Sequence, residues 1–247
     1  MDLNEIYALA NYVSNKHKSG NAFTPNQFNS LIEILNPDFF KKKVEESGYF
    51  NKRGRLVRPM SELYSSKFMR AMIINETVST SGSLSYNYAY WLGAHDSDNN
   101  VKVDLVTEEE YHDRVEDSVM APSASVICAV ERTTEIVVYP ATILNINISY
   151  MRYPNTPFLD YYIDVNGYIQ FLADGATHTW TTGEIDSTGT TRTTGQPDWD
   201  SLTEELEFPT DMHSDFLNEV LSRVGIRLQE PQVTQAAEQW KAEQKQM

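Results

Sequence analysis

The apolar residues of this chain repeat with two different periods, and the period changes twice along the sequence. At the N-terminus Leu3, Ile6, Tyr7, Ala10 and Val13 fall on one face of a helix over about three turns. A polar stretch from Lys16 to Ala22 interrupts this pattern, with Gly20 as a breaker. Thr24-Pro25 then supplies an N-cap followed by a proline at the first helical position, and Phe28, Leu31, Ile32 and Leu35 form the next stripe. Asn36-Pro37 repeats the start signal and predicts a further short helix with Phe40 and Val44 on one face. The C-terminus mirrors this. Pro209 to His213 leads into Phe216, Leu217, Val220, Leu221 and Val224, with Gly225 as the stop. Pro231 opens a last helix carrying Val233, Ala236, Ala237 and Trp240.

Between these ends the period is two. Ile143 to Tyr150 alternates apolar and polar residues, as a strand with one wet face must. Ser125 to Val130 and Glu135 to Tyr139 are runs rich in β-branched residues. Phe158 to Val165 and Tyr168 to Leu172 flank Asn166-Gly167, the dipeptide that supplies the positive φ angles of a tight hairpin. Thr107-Glu108-Glu109-Glu110 reads as a capping box for a short charged helix ending near Ser118.

Neither helical end has enough apolar residues for a core alone, and packing one against the other solves that. The prediction is an α+β chain. Residues 1–75 and 205–247 would make a helical-bundle body, and residues 76–204 an antiparallel β-rich insertion.

Several function classes lack their signatures. No run approaches the ~18 apolar residues of a membrane span, and the first residues lack the basic-then-apolar order of a signal peptide. Cys128 is the one cysteine, so an intrachain disulfide is impossible. No nucleophile elbow, zinc-binding histidine pair, phosphate loop or dinucleotide-binding turn occurs. The histidines (His17, His95, His112, His178, His213) are scattered. Asp96, Asp98 and Asn100 alternate as in a calcium loop, but Val101 stands where the glycine belongs and Thr107 where the bidentate carboxylate belongs. The expectation is a non-enzymatic protein with no catalytic, cofactor-binding or metal-binding residues.

Charge is segregated. The net charge is −15, yet residues 41–70 carry nine bases against three acids. A chain that grips DNA broadly needs a dominant basic face, which this composition denies it. Lys52, Arg53, Arg55 and Arg58 surround Gly54 and are the candidate contacts for an acidic partner surface or for DNA.

Three stretches resemble one family. They are Val137-Val138-Tyr139-Pro140-Ala141-Thr142-Ile143 running on through Tyr150-Met151-Arg152-Tyr153-Pro154 to Pro157, the opening Leu3 to Phe40, and Phe208-Pro209 with His213 to Val220. Together they are similar to the head–tail connector (ring, or adaptor) proteins of crAss-like tailed bacteriophages. The resemblance implies a structural virion protein of the portal and tail region, assembled in the host cytoplasm. It would form a homo-oligomeric ring, a dodecamer in the family's pattern, bound to portal protein and to neighbouring ring or tail proteins, with DNA passing through its channel and no membrane contact. The competing expectation is a carbohydrate-binding or glycan-processing β-domain, because Tyr86, Tyr88, Tyr90 and Trp91 cluster as a sugar platform does.

The threonine-rich stretch from Thr177 to Gly195 holds nine threonines in nineteen residues. Ordering it costs on the order of 20–40 kcal/mol of backbone entropy. Trp180, Ile185 and Trp199 return only ~1.5–3 kcal/mol each on burial, so hydrogen bonds to its own second limb or to another chain must supply the rest. It is expected to be mobile in the free subunit and ordered in the assembly, as an inter-subunit loop with Thr177, Trp180 and Arg192 as contacts and Trp180 against a neighbouring chain.

Overall fold

The computed structural model describes residues 2–17, 23–50, 56–79, 81–82, 84, 87–132 and 135–224. Two helices come first, α1 (Leu3–His17) and α2 (Pro25–Ser47), then short α3 (Met60–Ser65) and α4 (Lys67–Ala71). Strands β1 (Ile73–Ser79), β2 (Ser81–Gly82), β3 (Tyr88–Asp96) and β4 (Lys102–Val106) lead to α5 (Glu108–Glu116). After it come β5 (Ile127–Arg132), β6 (Glu135–Tyr139), β7 (Asn145–Arg152), β8 (Tyr161–Ile163) and β9 (Ile169–Phe171). The last elements are β10 (Thr177–His178), β11 (Ile185–Asp186), β12 (Trp199–Asp200), a 3-10 turn (Thr210–Met212) and α6 (His213–Arg223). Among the described residues no helix is long and apolar enough to cross a membrane.

The expected helical-bundle body is not what forms. The chain is β-rich, and only α1, α2 and α6 exceed ten residues among the described helices. It divides into two compact units, Met1–Lys41 with Pro154–Met247, and Lys42–Tyr153, whereas the sequence reading puts the divisions after residues 75 and 204. The terminal helices do need a partner for their apolar faces, but strands and loops of 154–208 supply much of it. Tyr7 of α1 meets Phe171 of β9 edge-on at 5.1 Å, and Phe39 of α2 meets Phe208 at 5.0 Å. The buried Asn29 amide both donates to the Leu159 carbonyl and accepts from its N–H, each at 3.0 Å, as a strand neighbour would. Glu205 accepts from the Leu3 N–H at 2.8 Å, satisfying a donor at the start of α1. On its other side α6 packs against α1, and Arg223 pairs with Asp38 of α2.

Pro37 does not start a new helix; it lies inside α2. An interior proline costs ~3 kcal/mol, but Phe28, Ile32 and Leu35 before it and Phe39, Phe40 and Val44 after it are all buried. Burial of both stripes outweighs the break. The helix proposed after Pro231 lies outside the described residues.

The second unit is built on a seven-stranded sheet in the order β1-β7-β3-β4-β5-β6-β2. It is mixed rather than antiparallel, because β4 and β5 run parallel, joined through α5. Its two edge strands are consecutive in the chain, with one residue between Ser79 and Ser81. Six strand spacings of about 4.8 Å would hold the edges ~29 Å apart in a flat sheet, whereas two peptide steps span only ~7 Å. The sheet therefore curls so that its edges approach at this corner. Val78, Ala94, Val103, Ile127, Ala129, Ile136, Val138, Ile146, Ile148 and Tyr150 line the inside of the curl. The alternation read at Ile143 to Tyr150 appears in β7, with Ile146, Ile148 and Tyr150 buried and Asn145, Asn147 and Ser149 on the other face. There Thr77 donates to Asn147 (2.7 Å) and Ser149 to Asn75 (2.6 Å), a cross-strand polar ladder. α5 covers the outer side of β4 and β5, where Tyr111 stacks on Tyr139 over Cys128 and Val130. Its Thr107–Glu110 capping box is present as read.

Candidate functional site

The threonine-rich stretch is closely hydrogen-bonded to itself, and acidic side chains organise it. Asp186 ends β11, which pairs with β8, so its side chain points inward and is 2% exposed. Its Oδ1 accepts from the Thr188 N–H (2.9 Å), the Thr188 hydroxyl (2.6 Å) and the Thr190 N–H (2.9 Å). Its Oδ2 takes the Arg192 guanidinium, Nε at 2.6 Å and a second nitrogen as an ion pair. Burial opposes the charge on Asp186, but the Thr188, Thr190 and Arg192 donors outweigh it and hold the carboxyl below the ordinary carboxylate range.

Glu184 closes the preceding turn. Its Oε2 accepts from the Thr181 N–H at 2.7 Å and lies 3.0 Å from His178 Nε2. Thr182 and Thr194 tie the two limbs reciprocally, each N–H donating to the other's hydroxyl at 3.1 and 3.0 Å. Between the limbs the Gly183 N–H donates to the Arg192 carbonyl and the Arg192 N–H to the Glu184 carbonyl.

Aromatic rings form the floor. Trp180 is 2% exposed and sits 5.9 Å from Trp199, while His178 is stacked on Tyr162 at 3.9 Å. The Arg192 guanidinium lies 5.3 Å from the Trp180 ring and 4.9 Å from Trp199, so the head group that pairs with Asp186 also meets both indoles. Trp199 donates its indole N–H to Asp160 at 2.8 Å. The inter-subunit candidates therefore separate. Thr177 is exposed and donates to Asp200, Arg192 is half-buried, and Trp180 is enclosed by its own chain. Trp180, expected against a neighbouring chain, is covered here by its own limbs and floor.

Sequence reasoning overlooked Glu184, Asp186, Asp160 and Tyr162. A signal for the first was present. In Thr107-x-x-Glu110 and Thr24-x-x-Gln27 the acidic or amide oxygen accepts from the threonine N–H at a helix start. The same spacing recurs as Thr181-x-x-Glu184 and Thr193-x-x-Gln196, where it closes turns instead.

Of the basic candidates, Lys52, Arg53 and Arg55 lie outside the described residues. Arg58 is exposed, lies 5.4 Å from the Tyr49 ring, and has no carboxylate partner among the described residues. The proposed sugar platform does not assemble on one face. Bulges interrupt β3 between Tyr88 and Tyr90 and between Trp91 and Gly93. Tyr88 and Trp91 both pack on the inner core, while Tyr90 lies 4.6 Å from Phe50; Tyr86 is outside the described residues.

Asp96 accepts from the Asn99 N–H and side-chain amide, both at 2.9 Å, closing the turn between β3 and β4 with Asn100 at φ +56°. It is an acidic turn. No cluster of three or more His, Cys, Asp or Glu suited to a metal ion occurs among the described residues. Burial raises the Cys128 thiol pKa, which removes nucleophilic character.

No protein-family model matches the chain, and no curated protein matches it.

Proposed function

We propose that the chain is a structural virion protein, a subunit of a homo-oligomeric ring in the head–tail connector of a tailed phage. The observation that carries this reading is the resemblance running from Val137 to Pro157. In the fold those residues cover β6, β7 and the exit toward Pro154, where the chain passes from one compact unit to the other. The residue before each proline is biased to extended backbone, so Tyr153-Pro154 and Thr156-Pro157 make the exit stiff. Asn155 is anchored on both sides, its N–H to Glu207 at 2.7 Å and its carbonyl to Asn36 at 2.9 Å.

The charge distribution agrees. A net acidic surface lets DNA slide without sticking, and one basic segment makes local contacts. Portal protein, neighbouring ring or tail proteins and the transiting DNA are the partners this reading assigns. The test is particle size and shape. Purified full-length protein, alone or with portal protein, should form annular oligomers by electron microscopy. A protein that remains monomeric in both conditions contradicts the reading.

A further inference from the structure

One exposed apolar feature stands on a rigid support. The β8–β9 hairpin turns at Asn166-Gly167, with Gly167 at φ +86°. Asp164 braces it by accepting from the Asn166 N–H (2.8 Å) and the Tyr168 N–H (2.9 Å). This braced tip holds Val165 (56% exposed), Tyr168 (67%) and Ile169 (41%) in water. Val165 lies against Gly183, 3.9 Å from where a Cβ would stand, so the tip rises beside the threonine turn. Three large apolar side chains held rigidly outward, with hydroxyls beside them, form the centre and rim of an interface.

Charge selects the occupant. Asp164 at the tip is half-buried, and of the other acids in residues 154–204 Asp174, Asp198, Asp200 and Glu204 are exposed, while Arg192, the one Lys or Arg there, is paired with buried Asp186, so the complementary surface is apolar with a free cation. Among the exposed large apolar side chains, Val57 and Val115 each have a basic neighbour in sequence. Arg114, beside Val115, is paired with Asp104 at 3.5 Å. Arg58, beside Val57 (59% exposed), has no such partner among the described residues. We infer that the Val165–Tyr168–Ile169 tip of one copy docks on the Val57–Arg58 surface of a second copy of this chain. The inference rests on the ring reading and names the contact that closes it. Two different patches meet, so the contact is heterologous and propagates head to tail, giving a ring where its rotation closes.

Two double variants test it. Val165→Asp with Tyr168→Asp spoils the tip, and Val57→Asp with Arg58→Glu spoils the receiving surface; both pairs are exposed. Circular dichroism should match the unaltered chain, and so should the melting temperature at a concentration low enough for the unaltered chain to be dissociated. Native mass spectrometry over a concentration series should show large oligomers for the unaltered full-length chain and monomers for each variant. An equimolar mixture of the two variants should stop at a dimer of one of each, because one intact tip meets one intact receiving surface. Variants that assemble like the unaltered chain overturn the inference and leave the ring reading standing. A mixture that stays monomeric also overturns it. An unaltered chain that is monomeric throughout, with and without portal protein, overturns both.

Discussion

The curled sheet of residues 73–152 and the threonine-rich stretch of residues 177–195 are both β-structure, yet they are held by opposite means. The sheet encloses apolar side chains, and its polar residues lie on the other face, as in β7. In the threonine-rich stretch Asp186 and Glu184 are buried, most of the threonines stand outside, and Trp180 with Ile185 is nearly all the apolar mass. The first is stabilised by removing hydrocarbon from water, which is non-directional. The second depends on named donors meeting named acceptors, each worth ~1 kcal/mol net and more where the acceptor is charged. A short segment can therefore order itself without a core if its side chains close its own turns.

The largest expected effect breaks the sheet. Ile148→Ala, at a fully buried position, should cost about 2–5 kcal/mol by leaving a cavity inside the curl. Asn147→Ala on the opposite face should cost under about 1 kcal/mol. Urea unfolding of both variants measures the contrast, and equal losses would mean the two faces of β7 are not distinct.

Next is Asp186→Ala, expected to cost about 2–3 kcal/mol. That is below the ~3–5 kcal/mol of a fully buried pair, because Arg192 retains 22% exposure and can reach water. The pH dependence follows from the lowered folded pKa of Asp186. The ionised carboxylate stabilises the fold at pH above the ordinary aspartate value of 3.8, and this contribution is lost as pH falls through the depressed folded value. Asp186→Asn should flatten that acid limb of the stability curve, and an unchanged limb would show that Asp186 is not its source.

The alternating strands, the capping box and the Asn166-Gly167 hairpin were readable because each depends on neighbours in sequence. The curl was not, since it follows from β1 and β2 becoming opposite edges, a fact of topology. The helical-bundle reading failed for a related reason. It recognised that the faces carrying Phe28 and Phe216 need covering, but periodicity does not say that Phe171 and Phe208 help cover them. In the threonine-rich stretch, the entropy argument called for hydrogen bonds but could not say whether the chain's own second limb or another chain makes them, although Thr181-x-x-Glu184 was visible. The aromatic cluster at Tyr86 to Trp91 misled because period two does not survive two bulges.

Smaller effects sharpen the contrast further. Thr107→Ala should cost ~1 kcal/mol through loss of the α5 cap. Thr182→Val should cost about 0.5–1 kcal/mol, measured as a shift in urea midpoint, since its hydroxyl bonds are made at the surface.

Hydrogen exchange on a monomeric form, such as the Val165→Asp/Tyr168→Asp variant, tests most directly whether this stretch is held by its own chain. The amides of Thr188, Thr190, Arg192 and Thr194 should exchange slowly in that monomer. Adding Asp186→Asn should release Thr188 and Thr190 first, because their N–H groups donate to its carboxylate. Fast exchange of all four in the monomer, with protection appearing only on assembly of the unaltered chain, would contradict the account and return the stretch to the role of a loop ordered by its neighbour.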